Sequence, residues 1–120
     1  MQPEERDAGF LLDMLEQARG IDRAVAGRTL EGYLQDEDLR LIVERRLEII
    51  GEAARRVSES FRSAHPEIPW RDIIAQRNLL IDDYGEIEDD IVWNVATISV
   101  PELIALPGPL VPQPPEIPGS

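Results

Sequence analysis

The chain has 120 residues, enough for one hydrophobic core but not two, and none of its apolar runs approaches the ~18 residues of a membrane span. A net charge of −12 argues against broad nonspecific nucleic-acid binding, which runs on phosphate neutralisation, though one local contact stays open. Cysteine is absent, which excludes disulfides and thiolate metal sites and, with an acidic N-terminus lacking an apolar signal stretch, fits a cytoplasmic address.

The first helix is expected over about residues 4–26. Phe10, Leu11, Met14, Leu15, Ala18, Ile21 and Val25 trace its apolar stripe, and Gly27 is the expected terminator. Residues 29–35 read as a short turn. A second, longer helix is expected over about 36–61, because Leu39, Val43, Leu47, Ile50, Ala54, Val57 and Phe61 alternate spacings of four and three. Its opposite face carries Arg40, Glu44, Glu48, Glu52 and Arg56 at four-residue spacing, which reads as a solvated charged surface. Pro66 and Pro69 then break the helical pattern.

The third helix is expected from Trp70 to about Tyr84, with Gly85 as its stop. Trp70, Ile73, Ile74, Arg77, Ile81 and Tyr84 share one face, which puts a single arginine inside an apolar stripe. Positions three and four away from Arg77 are all aliphatic, so its partner must come from another helix, another subunit or a ligand. A fourth helix over about 88–99 gathers acids in its first turn, where the helix dipole favours them. Ile87, Ile91, Val92, Trp93, Val95, Ala96 and Ile98 cover most of its circumference, so it should be the most enclosed helix, and Pro101 should end it. Six prolines in residues 107–120 read as an extended tail with polyproline II character. The expected architecture is therefore an all-α bundle of four to five helices over residues 1–106, followed by a poorly ordered Pro-rich tail. Leu41, Ile42 and Ile49 leave a second apolar face on the long helix, which favours a homodimer.

The run His65-Pro66-Glu67-Ile68-Pro69-Trp70, followed by Arg77-Asn78, Tyr84 and Ile91-Val92-Trp93, resembles the HepT-like toxins of the HEPN superfamily. Ile49-Ile50-Gly51-Glu52-Ala53-Ala54 belongs to the same resemblance, which spans about residues 5–105. It implies a small all-α dimer encoded beside a minimal nucleotidyltransferase antitoxin. It also implies metal-independent RNA cleavage, with no cofactor, in a cleft where two subunits meet. The family motif is an Arg, four to six residues, a His, one residue and a Tyr. Here Arg77 is the Arg, Asn78 the polar residue beside it, Asp82 stands at the His position, and Tyr84 is the Tyr. In members with this motif the nucleotidyltransferase silences the toxin by attaching AMP to the Tyr, which makes Tyr84 the implied acceptor.

Metal-free RNA cleavage uses the 2′-OH as nucleophile, so it needs a base for that proton and an acid for the leaving oxygen. Imidazole suits both roles near neutral pH. An aspartate with a reference pKa of ~3.9 accepts a proton poorly and scarcely donates one. Asp82, Asp83, Glu86, Glu88, Asp89 and Asp90 place six acids within nine residues, which should repel RNA. His65, the one histidine, reads as a turn residue ahead of Pro66. Asp82 is thus expected to impair cleavage, or to pair with Arg77 across a two-fold axis. Two alternatives stand beside the ribonuclease reading: a noncatalytic dimer that docks a nucleotidyltransferase, and a Mg²⁺ site in which Glu86 and Asp89 join Glu44 or Glu48.

Overall fold

Short polar side chains mark where several helices of this protein begin. The structure, a computed structural model, describes residues 3–81 and 88–106, and its elements in that range are all helical. Helix α1 (Pro3–Val25) closes at Gly27, whose φ of +73° is the left-handed conformation that glycine adopts freely. The next amide, that of Arg28, donates back to the Val25 carbonyl at 3.0 Å. Helix α2 (Leu30–Gln35) starts where the Thr29 hydroxyl accepts from the Gly32 N–H, so the short turn expected over residues 29–35 is a capped helix. Helix α3 (Glu37–Arg56) starts in the same way, with the Asp36 carboxylate accepting from the Leu39 N–H at 3.0 Å.

The long second helix expected to reach Phe61 stops five residues earlier. Val57 and Ser58 are extended, and Ser58 caps a separate helix, α4 (Glu59–Ala64), by accepting from the Phe61 N–H. What fixes the break is Asp7, 51 residues away in α1. Its two carboxylate oxygens accept from the Ser58 N–H at 2.9 Å and from the Ser58 hydroxyl at 2.6 Å. A break set by so distant a partner leaves no trace in helical periodicity.

The turn between α4 and α5 (Trp70–Ile81) is packed around Trp70. The Trp70 indole N–H donates to the His65 carbonyl at 3.0 Å, and Phe61 meets the Trp70 ring edge-on at 6.2 Å. His65 lies against the Phe61 ring and faces Glu67 across 3.3 Å, which is the turn role expected of it.

Helix α6 (Asp89–Asn94) runs through a π-turn (Val95–Ser99) into α7 (Val100–Ala105), so Pro101 does not end it. A proline clashes with the carbonyl four residues back in an ordinary helix. The widened turn, in which the Val100 N–H bonds to Val95 O, removes that conflict just ahead of Pro101. This helical run is not the most enclosed one. Val92, Ala96, Val100 and Leu103 are buried, but Ile91 and Ile98 are 51% and 56% exposed; Ile87 lies outside the described residues.

The core is the meeting of these stripes. Leu11, Met14, Ala18, Ile21 and Val25 of α1 and Leu39, Val43, Leu47, Ile50 and Ala54 of α3 pack with Tyr33, Ile68, Trp70 and the buried side of α6–α7. Helix α3 lies against both α1 and α5 and so forms the centre of the bundle. Arg40 ties its N-terminal end to the rest, donating to the Leu34 and Tyr33 carbonyls and facing Asp89 of α6 at 3.7 Å. No described helix is long and apolar enough to cross a membrane.

Replacing Asp7 with Ala strands the Ser58 amide and removes the acceptor of its hydroxyl, which keeps its bond from the Phe61 N–H. The expected loss is about 1–3 kcal/mol of stability, read by urea unfolding with an unchanged denaturant slope. A loss below about 0.5 kcal/mol would show that the α3–α4 break holds without Asp7.

Candidate functional site

The contact between α3 and α5 is closest at Gly51. A Cβ built on Gly51 would lie 2.1 Å from the Arg77 Cβ and 3.1 Å from the Ile73 carbonyl oxygen, so any larger residue there would force the helices apart. The stem of Arg77 fills the space the glycine leaves. Ile73 and Ile74, one turn earlier on the same face, are half-buried beside the core.

With its stem lodged there, Arg77 reaches the next residue of α3. Its Nη2 stands 3.0 Å from Glu52 Oε2, and its Nη1 donates to Asn78 Oδ1 at 2.9 Å. The side chain keeps 24% of its surface exposed, while its Nε is buried and, among the described residues, has no hydrogen-bond partner. Arg77 therefore does find its partner on another helix. The carboxylate is Glu52 of the same chain, a residue whose spacing reads as part of a solvated outer face. The expected pairing of Arg77 with Asp82 involves a residue outside those described.

Glu52 is itself held from its own helix. Arg55 Nη2 and Arg56 Nε donate to its Oε1 at 3.0 and 2.9 Å. Those hydrogen bonds, and secondarily the charges of Arg55 and Arg77, push the Glu52 carboxyl down to about 2. In return Glu52 raises Arg55 above the ordinary arginine range. One carboxylate thus gathers three guanidinium groups.

Beside this cluster lies a groove of about 280 Å³ between α1 and α3, lined by Phe10, Arg45, Ile49, Arg56 and Arg77 and by the carboxylates of Asp13, Glu48 and Glu52. A larger cavity, about 420 Å³, lies between α3, α5 and the π-turn and is walled mostly by aliphatic side chains such as Leu47, Ile50, Ile73 and Leu103. The smaller groove is the candidate site, because three arginines line it. Asn78 gives its amide oxygen to Arg77, which leaves its NH2 for an outside acceptor. Arg77 and Asn78 together offer N–H donors to a single oxyanion, the arrangement that suits a phosphodiester.

Of the four candidate residues, Arg77 lines this groove and the neighbouring Asn78 accepts a hydrogen bond from it, and Asp82 and Tyr84 lie outside the described residues. His65 does not line the groove. Among the described residues no three His, Asp or Glu side chains come together as a metal site; Glu86 lies outside them, and Asp89 faces Arg40. Sequence periodicity missed Glu52 as the partner of Arg77. The signal was a glycine in the middle of an apolar seam, which marks close backbone approach, followed directly by an acid.

The profile of one family, described as ribonuclease HepT-like, matches residues 14–108. A candidate RNase of Methanocaldococcus jannaschii is 33% identical over 94 residues, covering 78% of this chain and 86% of that one. A protein named as probable ribonuclease HepT from Thermococcus cleftensis is also 33% identical over 94 residues, with the same coverage. A candidate RNase of Caldanaerobacter subterraneus is 32% identical over 94 residues, covering 78% and 84%. No solved structure matches the chain.

Two outcomes follow from the geometry. Gly51→Ala overpacks the α3–α5 contact and should cost about 1–3 kcal/mol in urea unfolding, with a raised mobility of Arg77. A group whose carboxyl is depressed on folding contributes stability above its unfolded value that is lost as pH falls toward the folded one. Thermal stability should therefore decline between pH ~4.5 and about 2, and Glu52→Gln should remove its share of that decline in melts across this range.

Proposed function

Because this chain belongs to the ribonuclease HepT-like family, we propose that it is the toxin component of a HEPN toxin–antitoxin module, a metal-independent endoribonuclease by descent. The observation that carries this reading is Arg77, lodged against Gly51, hydrogen-bonded to Asn78 and lining a groove with two further arginines. In this reading Arg77 and Asn78 bind the non-bridging oxygens of the scissile phosphate. The substrate 2′-oxygen attacks phosphorus, the 5′-oxygen departs, and a 2′,3′-cyclic phosphate remains. The arginine stabilises the charge that grows on the phosphoryl oxygens.

The proton transfers are the weak step of this chemistry. Asp82 stands at the motif position where imidazole would serve as both base and acid, and a carboxylate serves poorly in either role. We therefore assign the protein slow cleavage that a histidine at 82 restores. The working unit is a homodimer with the cleft at the subunit interface. Leu41 and Ile42 on α3, 56% and 47% exposed, supply an apolar surface for it beside the half-buried Ile49 of the groove. A minimal nucleotidyltransferase is the proposed antitoxin partner, with the Tyr84 hydroxyl as acceptor of AMP.

A noncatalytic dimer that docks the nucleotidyltransferase is the second reading, and Asp82 is the observation in its favour. Cleavage of single-stranded RNA by the unaltered protein, Asp82→His and Arg77→Ala separates the two. The ribonuclease reading expects Asp82→His to cut at least tenfold faster than the unaltered protein, and Arg77→Ala to abolish cutting in either background. Absence of cutting by Asp82→His, with a stable dimer in sedimentation, would establish the binding module instead.

A further inference from the structure

We infer that Glu52 is a positioning residue that holds the Arg77 guanidinium in place before RNA arrives; this rests on the ribonuclease reading above. The glycine at 51 lets the Arg77 stem drop onto α3, so the guanidinium emerges beside position 52. Arg77 has no acid within one turn of its own helix among the described residues, and its Nη2 meets Glu52 at 3.0 Å. The anchor is itself held. Arg55 and Arg56 grip the same carboxylate from three and four residues along α3, which sets its rotamer independently of Arg77.

A carboxylate beside a phosphate-binding arginine has two opposed effects. It orients the guanidinium, and it competes with the phosphate for it. The stoichiometry decides between them. Arg45, Arg55, Arg56 and Arg77 there face Asp13, Glu48 and Glu52, one positive charge in excess on a chain with a net charge of −12. The cluster therefore still attracts a phosphate, while Arg77 is already in a fixed pose. The second N–H of each terminal Arg77 nitrogen, with the Asn78 NH2, is left for the incoming oxyanion without a search over rotamers. Glu52 touches no reacting atom and acts through Arg77 alone. Its carboxylate stays ionised through the neutral range, so the tether does not titrate during catalysis.

The test is the full-length Glu52→Gln variant, studied by kinetics and by nitrogen-15 NMR of the arginine side chains. Arg77→Lys identifies the Arg77 Nε signal. The unaltered protein should show an Arg77 Nε as rigid as the backbone, and Glu52→Gln should release it. Cleavage of single-stranded RNA should lose tenfold or more in kcat, in the native and the Asp82→His backgrounds, with KM unchanged or lower because a negative charge has gone. A merely structural loss would instead raise KM and leave the Arg77 Nε as rigid as in the unaltered protein. An Arg77 Nε that stays rigid in Glu52→Gln, or a kcat that is preserved, overturns the inference. If Glu52→Gln fails to fold, Glu52→Asp, one methylene short, replaces it with the same expected direction. If Arg77 is released yet no variant cuts RNA, the ribonuclease reading falls while the hold of Glu52 on Arg77 stands.

Discussion

The α3–α5 contact depends on one missing methyl group. At Gly51 the two helices approach so closely that the Arg77 stem occupies the place of a side chain. That approach brings a cation out of a half-buried stripe directly onto the acid that follows the glycine. It also joins α5 to the central helix, whose other flank is already packed on α1. Local packing and the placement of the candidate site are therefore one constraint seen at two scales.

From that constraint the electrostatics follow. A half-buried guanidinium is costly unless paired, and an exposed ion pair is worth little. Arg77 sits between these limits. Its stem and Nε are enclosed, while its head meets Glu52 and Asn78 at the rim of a groove. Glu52 would be a weak anchor alone, because a long side chain at a surface loses rotamer freedom when it pairs. Arg55 and Arg56 remove that weakness by holding it from the same helix. The result is a small positive centre on a strongly acidic chain, which is what a local phosphate contact needs where a broad basic surface is absent.

The helix ends show where sequence reading succeeds and where it stops. Gly27, Thr29 and Asp36 act on atoms within four residues of themselves, so the ends they set are local events with local signatures. The helix that Thr29 begins still looks like a turn in the sequence, since six residues are too few to show a period. The break at Ser58 is different in kind. It depends on Asp7, far away in the chain, and the heptad of apolar residues runs through it undisturbed. Pro101 misled for a related reason, because the π-turn that accommodates it is a backbone adjustment upstream of the proline.

Sequence alone determined that this is an all-helical chain, which residues of α1 and α3 meet in the core, and that Arg77 needed a partner from elsewhere. Those conclusions rest on periodicity and on the cost of burying charge, both of which are written in residue order. The resemblance carried by Arg77, Asn78 and Tyr84 pointed to the family that the residues 14–108 match bears out. Only the tertiary structure decided who the partner is. A periodic pattern tells which way a side chain faces on its own helix, and Glu52 faces outward there with its arginine neighbours. Whether an outward face is met by water or by another helix depends on how closely two backbones approach, and at Gly51 that distance is set by packing in three dimensions.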